Sequence, residues 1–280
     1  MVGRVVVNTL RLLKNYIQQK QKRSQKQWLD LQRDLLCEPL EKYFDKFSAV
    51  QIHKTLLEQG LFFPDSNIGE ELIILEELDA WGIVGDRYEQ LKKSWNGAEV
   101  TVFIYPVEQR HRFIIEQLNG KMGISYPNLI VLFLSSNVKK EEIEAVFTHE
   151  YNHVCRLKNI NKTIEQLTLL DSIIIEGLAE VAVAKAVGKN QLAPWTNLYT
   201  EKELLSYWSK IEKSLSVVGK RNHDAILFGN ERAGYPKWYG YSLGYMIVKK
   251  YSEKCPTKAM KVLLKKDAEE ILKDSSFIEG

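Results

Sequence analysis

Residues 173–184 restrict the fold of this chain more than any other segment, because their only charged side chains are Glu176 and Glu180 and the rest are apolar or small. A helix that is apolar on all sides lies in a core. A carboxylate buried there is strongly unfavourable unless it is paired or lies beside a metal ion. Glu176 and Glu180 are one helical turn apart. The segment therefore predicts a buried helix whose two carboxylates share a cationic partner.

A second helical segment can supply that partner. Residues 148–153 read Thr-His-Glu-Tyr-Asn-His, which places His149 and His153 one turn apart on the same face of a helix. Both imidazoles can then bind one metal ion. A surface helix whose histidines bond to nearby backbone is the simpler alternative. It gives no reason for Glu150, which projects into the apolar stripe of this helix.

Glu176 completes a set of two histidines and one glutamate, which is a ligand set of catalytic zinc sites with the fourth position left for water. Glu180, one turn further along, is placed to accept the free ring N–H of His149 or His153. Such a contact fixes the orientation of a ligating ring. The cofactor that these residues predict is zinc (Zn2+).

A buried salt bridge to Arg156 or Lys185 is the alternative explanation for the two glutamates. Gly177 lies between them, and a glycine inside a helix costs about 1 kcal/mol relative to alanine. Close approach of a neighbouring helix or of the metal ion is the reason that we expect for this glycine.

The rest of the chain is predominantly helical. Periodicity predicts strands at residues 100–106 and Leu129–Leu134, and helices at residues 49–59, 70–78, 140–157, 164–187, 201–214 and 239–251. Helices segregated from a small sheet favour a mostly helical α+β fold. At this length we expect two regions, an N-terminal helical region over residues 1–96 and a catalytic region over residues 97–280.

Composition argues against several classes of protein. Lysine and arginine number 39 against 36 aspartates and glutamates, and the net charge of +3 argues against nucleic acid as a partner. No apolar stretch approaches the roughly 20 residues that span a bilayer, so no transmembrane segment is expected. The three cysteines are widely spaced without a CxxC pair, which predicts reduced thiols and a cytoplasmic location.

Residues 148–154 together with residues 176–180, which read Glu-Gly-Leu-Ala-Glu, resemble the signature of zinc peptidases of the glutamate-zincin type. Residues 97–251 as a whole resemble the bacterial predicted zinc-dependent proteases of the YjaZ type. This resemblance implies a zincin-like catalytic region with a small sheet and an active-site helix, preceded by an N-terminal helical extension.

The same resemblance implies roles for individual residues. It implies zinc on His149, His153 and Glu176, with Glu150 as the general base. In that role the Glu150 carboxylate takes a proton from the attacking water and passes it to the departing amine.

Amide hydrolysis also needs a hydrogen-bond donor for the oxyanion of the tetrahedral intermediate. A helix that starts near Trp238 places Tyr241 and Tyr245 on one face, four residues apart. We expect Tyr241 and His223 to act in catalysis, and packing in the core is the alternative role of such side chains. The full set of candidate donors is His223, Tyr235, Tyr239, Tyr241 and Tyr245.

These residues predict a cytoplasmic zinc peptidase that hydrolyses peptide or protein substrates. We expect Leu129–Leu134 to offer an exposed edge on which an extended peptide adds as a strand. One alternative is a zinc-stabilised interaction protein without activity, but a structural zinc site normally has four protein ligands and no use for a carboxylate such as Glu150. A hydrolase of a non-peptide amide or ester is a further alternative that the residues leave open.

Overall fold

The computed structural model describes residues 6–7, 9–160, 162–219, 222–256 and 259–278. The chain divides into two compact units. The first comprises Met1–Gln90 and Glu99–Phe147, and the second comprises Leu91–Ala98 and Thr148–Gly280. The boundary expected between residues 96 and 97 stays a prediction.

The mostly helical α+β fold predicted from the sequence is confirmed. The strands in the described residues are β1 (Thr101–Pro106), β2 (Lys121–Tyr126) and β3 (Leu129–Leu134). The helices in the same residues are α1 (Thr9–Lys20), α2 (Trp28–Gln32), α3 (Ala49–Gln59), α4 (Gly69–Glu77), α5 (Ala80–Trp95), α6 (Lys140–Ile160), α7 (Leu169–Ala186), α8 (Glu201–Ser206), α9 (Trp208–Ile211), α10 (Asp224–Leu227), α11 (Tyr239–Lys254), α12 (Met260–Leu263) and α13 (Ala268–Ser275). Within the described parts of the chain, every helix is too short or too polar to cross a membrane.

The sheet of the first unit has the strand order β1–β3–β2. β3 is parallel to β1 and antiparallel to β2, and all six of its residues are buried. The expectation that Leu129–Leu134 is an exposed edge is therefore wrong. A run that is apolar on both faces is buried on both faces, and such a strand lies inside a sheet.

One edge of this sheet is β2, a strand that the sequence analysis did not predict. All six residues of β2 are half-buried. Apolar side chains at residues 122, 124 and 126 alternate with small or polar ones, which is the period-two pattern of a half-buried strand. The pattern is short and follows a glycine, so it is weaker than the continuous apolar run of β3.

The N-terminal helices pack on this sheet in the core of the first unit. Leu13 and Tyr16 of α1 and Leu56 of α3 belong to one hydrophobic cluster with Phe103 of β1 and Phe133 of β3. These side chains are all fully or almost fully buried. The N-terminal segment therefore contributes directly to the stability of the sheet.

Helix α7 is the centre of the second unit, and nearly all of its residues are buried. It begins at Leu169, later than the predicted start at residue 164. Thr168 caps it: the Thr168 hydroxyl accepts the N–H of Asp171 at 3.1 Å, and the Asp171 carboxylate accepts the N–H of Thr168 at 2.9 Å. This reciprocal pair satisfies two backbone donors at the start of the helix and thereby fixes where it begins.

Helix α11 packs against α7 through two glycines. A Cβ on Gly177 would lie 2.1 Å from the carbonyl oxygen of Gly244, and a Cβ on Gly244 would lie 2.0 Å from the carbonyl oxygen of Ile173. The two backbones are therefore in direct contact. Of the two reasons expected for Gly177, the structure shows the close approach of a neighbouring helix.

Gly177→Ala should lower the free energy of unfolding by about 1–3 kcal/mol, the usual effect of forcing an extra carbon into a packed core. The new methyl group would meet backbone atoms, which cannot move aside as a flexible side chain can. Urea unfolding measures the change. The matched control is Gly85→Ala in α5, where the nearest side-chain atom is 3.9 Å from the added carbon, so helix propensity should raise stability by about 1 kcal/mol. A stabilised Gly177→Ala protein would contradict this account of the contact.

Candidate metal centre

Three of the predicted residues meet at one point in the second unit. Nε2 of His149 lies 3.3 Å, and Nε2 of His153 lies 3.5 Å, from the same Oε2 atom of Glu176. One ligand atom from each of the three residues lies within 4.8 Å of the other two. Two atoms bound at about 2.1 Å to one tetrahedral zinc ion are about 3.4 Å apart. The two distances from Glu176 to the histidines therefore match the separation of ligands on one ion.

The helices that carry these side chains explain why they meet. His149 and His153 are one turn apart on α6, with ring centroids 4.5 Å apart and ring planes at 84°. α6 is anchored beside them by Tyr151, whose ring stacks on Trp95 and whose hydroxyl donates to the carbonyl oxygen of Ala98 at 2.8 Å. The two imidazoles are thus presented to α7 by a helix that is itself held in place.

The Glu176 carboxylate has a buried oxygen without a hydrogen-bond donor. Its Oε2 atom, which lies between the two imidazoles, has no hydrogen-bond partner. Leaving a buried acceptor unsatisfied is unfavourable. A cation bound to this oxygen and to both imidazoles removes that penalty. The donor set, two imidazole nitrogens and one carboxylate oxygen, suits a zinc ion.

The charges around the site favour a positive ion there. Burial alone would lower the pKa of His149, but the carboxylates of Glu176 and Glu180 raise that pKa well above its usual range. Burial alone would raise the pKa of Glu176, but the imidazoles of His153 and His149 hold it well below its usual range. Both directions have the same physical cause, because the glutamate carboxylates attract positive charge at this position.

Glu180 lies behind one of the two imidazoles. Its Oε1 atom is 2.9 Å from Nδ1 of His149, and its Oε2 atom accepts the N–H of Ala193 at 3.0 Å. These contacts hold the His149 ring with Nε2 toward Glu176. His153 lacks such support, because its Nδ1 atom is buried without a hydrogen-bond partner.

The salt-bridge alternative for the two glutamates is not supported. Arg156 is fully buried, but its Nη1 atom donates to the carbonyl oxygens of Leu264 at 3.0 Å and Lys266 at 2.6 Å. Lys185 is exposed. In the described residues the ion pairs of Glu176 and Glu180 are with His149 and His153 alone.

Glu150 follows His149 on α6, and only 7% of its surface is exposed. No described residue forms a hydrogen bond to its carboxylate. A largely buried carboxylate without a hydrogen-bond partner in the described part of the chain, next to a histidine of the site, remains a candidate general base.

Tyr241, near the start of α11, is affected by the negative charges of Glu176 and Glu150. Burial, followed by the charges of Glu176 and Glu150, raises the pKa of its hydroxyl well above the usual range. The hydroxyl therefore stays protonated at neutral pH and can act as a hydrogen-bond donor.

The structure does not support the catalytic role expected for His223. This residue is 0% exposed. Its Nδ1 atom lies 2.9 Å from the hydroxyl of Ser172, and its Nε2 atom lies 2.9 Å from the carbonyl oxygen of Val217. Because both ring nitrogens are bound within the protein, His223 holds the first turn of α7 in place and has no nitrogen left for a substrate.

Aromatic side chains that the sequence did not point to pack around Tyr241 beside the site. The ring of Trp195 lies 6.5 Å from that of His149, and it contacts the rings of Trp238 at 4.9 Å and Tyr241 at 5.0 Å. Phe228 contacts the last two at 5.5 and 5.4 Å. We call Trp195, Phe228, Trp238 and Tyr241 the four-ring cluster. Three of its members lie outside any long periodic segment, so no hydrophobic pattern identifies them.

Comparison with known proteins points in the same direction as the geometry. Residues 80–273 match the model of a family described as "Predicted Zn-dependent protease (DUF2268)". The chain is 38% identical to the "Uncharacterized protein YjaZ" of Bacillus subtilis (strain 168), over 70% of this chain and 75% of that protein. It is 25% identical to the "Uncharacterized protein YjfC" of the same organism, over 58% of this chain and 56% of that protein. No solved structure matches the chain.

Glu180→Gln should weaken zinc binding by roughly 10- to 100-fold, the usual effect of losing a partner behind a ligating histidine. Glutamine keeps the size of the side chain but loses the charge that faces the His149 ring. Competition with a chelator measures the affinity of each purified variant. Glu253→Gln, an exposed carboxylate on α11, is the control and should bind zinc as the parent does. Equal affinities in the two variants would show that Glu180 does not support the metal site.

Proposed function

The chain belongs to the family of predicted Zn-dependent proteases, and we propose that it is a zinc peptidase with His149, His153 and Glu176 as the metal ligands. The observation that carries this proposal is the buried Oε2 atom of Glu176, which has no hydrogen-bond donor among the described residues and lies 3.3 and 3.5 Å from Nε2 of the two imidazoles. A zinc ion bound there supplies a Lewis acid that makes a water molecule nucleophilic near neutral pH.

Glu150 is the general base in this proposal. Its carboxylate takes a proton from the attacking water at one oxygen and delivers it to the leaving nitrogen of the peptide bond. The absence of a protein hydrogen bond at this carboxylate supports the role, because no described residue has to be displaced before it accepts the proton.

Tyr241 stabilises the oxyanion. Its hydroxyl is a protonated donor in the field of Glu176 and Glu150, and no described residue forms a hydrogen bond to it. A donor of this kind is most effective when it is held in place before the reaction. Contacts with the rings of Trp195 and Trp238, both at 5.0 Å, hold the Tyr241 ring.

A zinc-stabilised protein without activity is the second candidate function. In the described residues the cluster of possible metal ligands has three side chains, whereas a structural zinc site normally has four. The arrangement therefore favours catalysis over structural zinc. Assays with peptides and with simple amides or esters distinguish a peptidase from a hydrolase of other substrates.

Glu150→Gln should lower peptide cleavage by about 100- to 10,000-fold, the range for general acid–base groups. Zinc content should stay at the level of the parent, because Glu150 is not among the three ligands. Cleavage of a mixed peptide library, with zinc measured on the same samples, tests both statements. Equal activity would remove Glu150 from the mechanism, and loss of zinc would make it a ligand or the support of one.

Tyr241→Phe should lower kcat by about 100- to 1,000-fold, the effect of losing one oxyanion donor. KM should change little, since the phenyl ring keeps its contacts with Trp195 and Trp238. Tyr235→Phe is the control, because the Tyr235 ring packs against the Lys210 ammonium at 4.7 Å and has no place in the proposed reaction. A fall in kcat of the same size in both variants would contradict the role of Tyr241.

A further inference from the structure

The four-ring cluster extends from the candidate metal centre to the surface of the protein. At one end, the Trp195 ring is 6.5 Å from that of His149. At the other end, Phe228 is 45% exposed, although its ring contacts those of Trp238 and Tyr241. The cluster thus links the candidate metal centre to one exposed aromatic ring, that of Phe228.

The exposed end of the cluster is held by the backbone of residues 228–238. The N–H of Trp238 donates to the carbonyl oxygen of Phe228 at 2.8 Å, and Asn230 and Tyr235 exchange two backbone hydrogen bonds of 2.9 Å. A Cβ on Gly229 would lie 2.3 Å from the carbonyl oxygen of Pro236, so the two sides of this loop are in direct contact. The position of Phe228 is therefore fixed before any ligand binds.

The hydrophobic effect within the protein does not explain the position of the Phe228 ring. A phenyl ring gains most from the hydrophobic effect when it is removed from water, yet this ring is held where almost half of it is exposed. Apolar surface on a fixed loop beside a reaction site is typical of ligand recognition. The Phe228 ring lies 5.4 Å from that of Tyr241, the proposed oxyanion donor. The side chains next to a scissile bond start within one residue spacing of it, about 3.8 Å between Cα atoms, so such a side chain can extend past Tyr241 toward Phe228.

We propose that the four-ring cluster binds an aromatic or large aliphatic side chain of the substrate, adjacent to the scissile bond, with Phe228 as the residue that determines this specificity. This inference rests on the proposed peptidase function and names its substrate class.

The test uses peptides that are identical except for Phe, Leu, Ser or Arg at one position beside the scissile bond. The parent should cleave the Phe and Leu peptides at least about tenfold faster, as kcat/KM, than the Ser and Arg peptides. Phe228→Ala should remove most of that preference, and tenfold corresponds to about 1.4 kcal/mol. Phe228→Leu should keep part of the preference for the Phe and Leu peptides. Val262→Ala is the matched control, since Val262 is 43% exposed on α12, and it should keep the preference of the parent.

Three outcomes would overturn the inference. They are no preference among the four peptides in the parent, a preference for arginine, and an equal fall in kcat/KM for all four peptides in Phe228→Ala. The last result would mean that Phe228 only positions Tyr241. Zinc content, measured on every variant, should be unchanged.

Binding measurements separate this inference from the proposed function. The zinc-loaded Glu150→Gln protein is titrated with the same peptides, with and without Phe228→Ala, and tryptophan fluorescence reports binding because Trp195 and Trp238 belong to the cluster. Tighter binding of the Phe peptide that is lost in Phe228→Ala supports the binding site even if the parent cleaves nothing, a result that would refute the peptidase function alone. Equal binding of all four peptides would overturn the inference, whatever the parent cleaves.

Discussion

The backbone contact between Gly177 and Gly244 sets the distance between α7 and α11, and the candidate site depends on that distance. Glu176 and Glu180 lie on α7 beside the first glycine, and Tyr241 lies on α11 one turn before the second. Because Gly177 and Gly244 have no Cβ, the two helices approach until their backbones are in contact. A side chain at either position would separate the Tyr241 hydroxyl from the carboxylates whose field raises its pKa.

Negative charge buried on α7 is the second constraint on the site. The helix places two carboxylates in surroundings that are otherwise apolar, where a charge without a partner is strongly unfavourable. The imidazoles of α6 relieve part of that penalty, and the pKa directions of His149 and Glu176 show it. The Oε2 atom of Glu176 still has no hydrogen-bond donor among the described residues, so part of the penalty remains. The proposed metal ion would satisfy the groups that the protein itself leaves without a hydrogen-bond partner.

Much of the fold could be predicted from the sequence, but the arrangement of the sheet could not. The bounds of α3 and β3 coincide with the predicted ones, because apolar periodicity and turn residues act locally. β3 was identified correctly as a strand and wrongly as an edge. Strand order depends on which segments pair, and β2, the partner that covers one side of β3, has only a short period-two pattern.

The region predicted at residues 201–214 as one helix is interrupted at Tyr207, where the N–H of Tyr207 bonds to the carbonyl oxygen of Leu204.

The sequence by itself determined which residues meet at the candidate metal site, since the helical period brings His149 and His153 to one face and a buried glutamate requires a positive partner wherever its helix lies. Tertiary structure alone decided the remaining features of the site. Glu180 bonds to His149 and leaves His153 unsupported, and His223 has both ring nitrogens bound. The four-ring cluster brings Phe228 and Trp238 of one loop together with Trp195 and Tyr241 from other elements. These features arise from contacts between residues distant in the chain, and no local period or spacing encodes such contacts.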